Sequence, residues 1–123
     1  MNGLKSERTR PKIEVDGWIT VALPNGGAVH VTYRTRGDNG NASTVDQNYI
    51  ASTDNGRTFG FERKIGPSSD VQWAARAPGI FYGDYMGVAA TPTQAALVWN
   101  VSSKPPIAGQ LFHQTTWTAI ASR

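Results

Sequence analysis

The chain contains no cysteine. A disulfide framework and a thiolate metal site are therefore excluded. Long apolar runs are missing as well. No stretch approaches the ~18 residues needed for a helical membrane span, and no apolar segment near the start reads as the core of a signal peptide. No membrane partner is expected, and the compartment is not encoded. Charge is scarce, at 17% of residues with a net +3. That surplus is local: Lys5, Arg8, Arg10 and Lys12 stand against Glu7 alone. Residues 1–12 read as a basic flexible tail and the remainder is neutral, so no nucleic-acid face is expected. Histidine is nearly absent too. His30 and His113 have no second histidine or carboxylate at ligand spacing, so neither a metal nor another cofactor is expected.

Glycine and proline are well represented, at 13 and 7 of 123 residues. Short strands bounded by Gly and Pro turns fit that composition, and the length fits one domain. Seven strands are expected, near 18–23, 28–35, 46–53, 58–64, 84–90, 95–101 and 109–116. A weak repeat relates the first group to the second. Val21, Ala22, Ala28 and Val31 align with Val88, Ala89, Ala95 and Val98. A shorter offset then aligns Gln47 and Tyr49 with Gln110 and Phe112. Repetition at this scale suggests repeated sheet units. The strands at 28–33 and 95–99 are apolar on both faces and call for cover on both sides.

The most distinctive segment is Ser52-Thr53-Asp54-Asn55-Gly56-Arg57-Thr58-Phe59. Asp-Asn-Gly tolerates positive φ and reverses the chain sharply. The Ser and Asp side chains can bond to backbone groups within the turn, and Phe59 can pack where the next strand begins. The segment resembles the Asp-box of sialidase-like β-propellers, with Ser52, Asp54, Gly56 and Phe59 at its defining positions. Gly83-Asp84-Tyr85-Met86-Gly87, followed by the Val98-Trp99 strand, is similar to the closing blade of that family. The resemblance covers roughly residues 13–117. It implies an all-β fold of two four-stranded antiparallel blades, a fragment of a six-bladed propeller. The blades would span about 13–65 and 84–117, joined by a loop at 66–83. The second lacks an Asp-box at Thr115–Thr118 and a fourth strand after it. Residues 11–15 are candidates to supply that strand, or to be a remnant of the preceding blade.

The resemblance also implies a glycan-facing glycoside hydrolase, an exo-α-sialidase. Such enzymes hold a substrate carboxylate with three arginines and attack with a tyrosine activated by a glutamate. Tyr85 is the match to that nucleophile. Asp84, Arg76 and Trp73 are the candidate ligand contacts, and Trp73 and Trp117 are candidates for stacking on a sugar ring. The site departs from the family in several respects: Tyr85 is followed by Met86 where the family has a serine, the glutamate and two of the arginines would belong to earlier blades, and Val45-Asp46-Gln47 stands where an arginine precedes the box. Arg34 and Arg36 lie on the preceding strand instead. A complete catalytic site is therefore not expected. The alternative is a non-catalytic interaction module that completes a propeller by self-association or with missing blades. Arg36-Gly37-Asp38 and the sequons at Asn41 and Asn100 add no further function.

Overall fold

The computed structural model describes residues 14–15, 20–24, 26–37, 39–76, 80–81 and 86–122. The architecture is all-β, with two antiparallel sheets and a small hairpin. In the first sheet, β3 (Val29–Arg36) pairs with β4 (Thr44–Ser52), and β4 pairs with β5 (Gly60–Asp70). The other edge of β3 is shared by β1 (Glu14–Val15) and β2 (Thr20–Ala22). The hairpin is β6 (Ala75–Arg76) with β7 (Ile80–Phe81). The second sheet runs β8 (Gly87–Ala90), β9 (Gln94–Ser102) and β10 (Gln114–Ser122).

Several expectations need correction. The second sheet has three strands among the described residues, not four. Glu14 and Val15 do not supply its fourth strand; they pair with Arg36 and Thr35 of the first sheet. The reason lies in β3, whose eight residues outrun the three of β2 and leave an edge for β1 to finish. The expected loop at 66–83 is partly strand, because β5 continues to Asp70. The third strand of the second sheet begins at Gln114, beyond an extended connection, so Thr115–Thr118 lies within a strand rather than at a missing box. Gln110 and Phe112 fall in that connection and not on a strand, which dissolves the second half of the repeat.

β5 reaches Asp70 by bulging twice. Its register against β4 shifts between Tyr49 and Ala51 and again between Val45 and Gln47. Phe61 and Gly66 take positive φ, 56° and 68°, at these two places. Pro67 occupies the second bulge, where a strand tolerates a missing donor.

The two sheets pack face to face. Tyr49, Ala51 and Ile65 from the first meet Ala95, Leu97, Trp99, Val101 and Ala121 from the second. On the first sheet this inner face holds the even residues of β3. Backbone bonds fix how each sheet is turned. Gly37 N donates to Thr44 O, so even residues of β3 direct their backbone groups toward β2. Ser103 N donates to His113 O and Thr91 N to Gln94 O, so odd residues of β9 direct theirs toward β10. An L-residue that faces the viewer on an upward strand turns N–H and C=O to the right. Seen from between the sheets, β2 therefore lies to the right of an upward β3, whereas β8 lies to the left of an upward β9. Opposite faces of equivalent meanders meet. The contacts agree: β2 and β3 touch β8, while β5 touches β9 and β10. The second sheet is laid on the first as a displaced copy, not as a flipped mate.

The far faces differ from each other. On the first sheet the far face is buried too, at Val31, Thr35, Asp46, Asn48 and Ile50. Long side chains of the sheet itself lie across part of it, with the Tyr33 hydroxyl on Glu62 and Lys64 reaching Asp46 at 3.9 Å. On the second sheet the outer face stays open. β9 alternates strictly from Gln94 to Trp99, and Val98 is 44% exposed and Ile120 66% exposed.

Candidate functional site

The turn between β4 and β5 closes on two side chains. Ser52 Oγ donates to Asp54 Oδ1 at 2.7 Å and accepts from Gly56 N at 2.9 Å. Asp54 Oδ1 also accepts from Thr58 N at 2.8 Å, and Oδ2 from Thr58 Oγ1 at 2.5 Å. Asn55 and Gly56 take φ of 64° and 83°, as the Asn-Gly dipeptide foretold. The Phe59 ring lies over Gly56, 4.0 Å from where a Cβ would stand. Asn55 N donates to Gly27 O at 2.9 Å and ties the box to the turn between β2 and β3. The Ser52 hydroxyl and both carboxylate oxygens of Asp54 are thus engaged in holding the chain reversal.

These bonds hold the Asp54 carboxyl at a pKa of about 2, below its ordinary 3.8. The Thr58 hydroxyl contributes most, followed by the Thr58 amide and the Ser52 hydroxyl, and each favours the charged form. A depressed folded pKa adds stability above about pH 4, and the gain is lost as pH falls toward 2. Asp54→Asn should therefore lower the melting temperature at neutral pH, with the gap from wild type closing between pH 4 and 2. Thermal unfolding across that range checks it.

A second polar group lies between the sheets. His30 is fully buried. Its Nε2 is 2.9 Å from the Thr91 carbonyl, which can only accept, so Nε2 carries the proton. In the neutral ring Nδ1 then accepts from the Tyr49 hydroxyl at 2.7 Å. Next along the face, Gln47 Nε2 donates to Thr32 Oγ1 at 2.6 Å and to Met86 Sδ at 3.0 Å. Arg34 follows, 2% exposed. This row joins the first sheet to the start of β8 and to the β8–β9 turn. Sequence reasoning weighed His30 only as a metal ligand and missed the row. The available signal was the polar alternation His30, Thr32, Arg34 on one face of a strand whose other face carries Val29, Val31 and Tyr33.

Tyr85 and Asp84 lie outside the described residues. Trp73 is half-buried at the end of a 3-10 turn, Val71–Trp73, and its carbonyl accepts from His113 N at 2.9 Å. Arg76 is exposed on β6. Both belong to the end of β5 opposite the box; the eleven residues of that strand span roughly 30 Å at ~3.3 Å per residue. The other described arginines are dispersed. Arg36 Nε donates to Ala42 O at 2.7 Å and Arg63 Nη2 to Ser122 O at 2.8 Å, while Arg57 is exposed in the box turn. Among the described residues no three of His, Cys, Asp or Glu gather as metal ligands.

Compared with known proteins, the chain matches no family model, no curated protein and no solved structure.

Proposed function

We propose that this chain is a two-sheet portion of a sialidase-like Asp-box propeller and works as an assembly module rather than as a complete glycosidase. The observation that carries the reading is the displaced stacking of the sheets. A flipped sandwich brings like faces together and ends there. A displaced stack leaves on its second sheet the same face that the first sheet uses to accept a neighbour. That face is open here at Ala89, Ala96, Val98 and Ile120. A further sheet of the same kind is its natural cover. The bonded geometry of the Ser52–Thr58 turn supports the Asp-box part of the reading. The dispersal of Arg34, Arg36, Arg57, Arg63 and Arg76 supports the non-catalytic part, because carboxylate capture needs convergent guanidinium groups.

Two measurements test the reading. A fluorogenic sialoside incubated with the chain alone should give no turnover; turnover abolished by Tyr85→Phe would restore the enzyme. Light scattering over a dilution series should show association that Val98→Lys weakens about tenfold or more, since a desolvated charge at the middle of the face is costly. Association indifferent to Val98→Lys would remove the stacking role of that face.

A further inference from the structure

The outer strands of the two sheets are built differently. β5 carries Glu62, Arg63 and Lys64, contains Pro67 and breaks register twice. These are devices that stop another strand from adding to an edge. β10 has none of them. Gln114-Thr-Thr-Trp-Thr-Ala-Ile-Ala-Ser122 holds no charge, proline or glycine, and it keeps register with β9 over its whole length. Its composition favours strand pairing.

The backbone phase says which groups face outward. Because Ser103 N bonds His113 O across the β9–β10 ladder, odd residues of β10 turn their backbone groups to β9. Thr116, Thr118, Ile120 and Ser122 turn theirs away from it. No described strand pairs with that edge. Ser122 O already accepts from Arg63 Nη2 at 2.8 Å, so the stretch left for pairing ends at Ile120. Its middle is Trp117, 42% exposed, with the indole Nε1 donating to Thr115 Oγ1 at 3.1 Å.

We propose that this edge pairs antiparallel with the β10 edge of a second copy, across a two-fold axis at Trp117. Thr116 of one copy then stands opposite Thr118 of the other, and about four backbone hydrogen bonds join those residues. Thr115 opposes Ala119, and Trp117 opposes its own copy as a closely spaced, non-hydrogen-bonded pair. Aromatic residues in such pairs stabilise sheets. The occupant is a second β10 rather than a β5 edge because β10 meets itself without opposing like charges, whereas Glu62, Arg63, Lys64 and Pro67 guard β5. The interface is isologous and closes at two copies. It does not depend on the stacking reading, which uses the sheet's face and not its edge.

The absence of cysteine makes the test clean. A non-hydrogen-bonded antiparallel pair places Cα atoms about 4.5 Å apart, within disulfide range. Trp117→Cys should form a covalent dimer in a glutathione redox buffer about tenfold faster than Thr115→Cys, which lies on the same strand and face but does not meet itself. Adding Thr118→Pro to Trp117→Cys should slow crosslinking about tenfold. That change removes an outward N–H and leaves the β9 ladder intact. Val98→Lys, on the outer face, should leave the rate unchanged, which separates this edge from the stacking face. Equal rates for the two cysteine variants would overturn the proposal, as would indifference to Thr118→Pro in a protein whose circular dichroism shows it folded. If the proline variant does not fold, the comparison of the cysteine variants decides alone.

Discussion

Gly66→Ala should destabilise the protein by roughly 2–4 kcal/mol, read as a fall in the urea midpoint at constant slope. Two causes add. Gly66 sits at φ +68°, where an L side chain is strained by about 1 kcal/mol. Its Cβ would also stand 2.6 Å from Trp99 Cζ2 and 3.5 Å from two further indole atoms. Trp99 is 3% exposed in the core between the sheets, so the ring has nowhere to retreat. Gly40→Ala separates the causes. Gly40 has φ +87° and nothing within 4 Å of a Cβ, so only the backbone strain of about 1 kcal/mol should appear. Equal losses at the two positions would show that the bulge of β5 does not press on Trp99.

His30→Ala should cost a similar roughly 2–4 kcal/mol, for a different reason. The imidazole is fully buried and bonds at both ends, to Tyr49 on β4 and to the Thr91 carbonyl at the β8–β9 turn. Removing it opens a cavity between the sheets and leaves the Thr91 carbonyl without that donor. Tyr49→Phe, which deletes one hydroxyl, should cost about 1 kcal/mol. The pair should be coupled: the double variant should be less damaging than the sum of the singles by about 0.5 kcal/mol or more, because both remove the same bond. Additive losses in chemical denaturation would contradict the bridge.

The Ser52–Thr58 turn and the inter-sheet row differ in how far the sequence announced them. The Ser52–Thr58 turn was legible because its cause is local. Asp54, Asn55 and Gly56 need only their neighbours to reverse the chain, and the bonds from Ser52 and Thr58 to Asp54 join groups within four residues. The β3 and β4 spans came out within about two residues at either end because turn residues bound both strands. The path of β5 was not legible. Gly66-Pro67 reads as a loop, yet a bulge accommodates both within a strand that resumes toward Asp70. The last strand was misplaced because Leu111 and Phe112 look like strand residues, although they are 83% and 55% exposed in a connection. The inter-sheet row was missed because its partners, Thr91 and Met86, are far away in sequence and only the stacking brings them to His30 and Gln47. The repeat placed β2 beside β8 and β3 beside β9 in order. It could not fix their register: Val21 opposes Val31, whereas Val88 opposes Leu97. That one-residue slip exchanges the faces and exposes Val98 where Val31 is buried.

The second sheet repeats the orientation of the first, so that like edges lie together. Nuclear Overhauser contacts between assigned residues test it most directly. Contacts are expected between β2 and β8, from Ala22 to Val88 and Ala90, together with contacts from Arg63 on β5 to Ser122 on β10. A flipped sandwich would instead place β5 against β8, and contacts from Arg63 or Ile65 to Ala89 or Ala90, without any between β2 and β8, would contradict it.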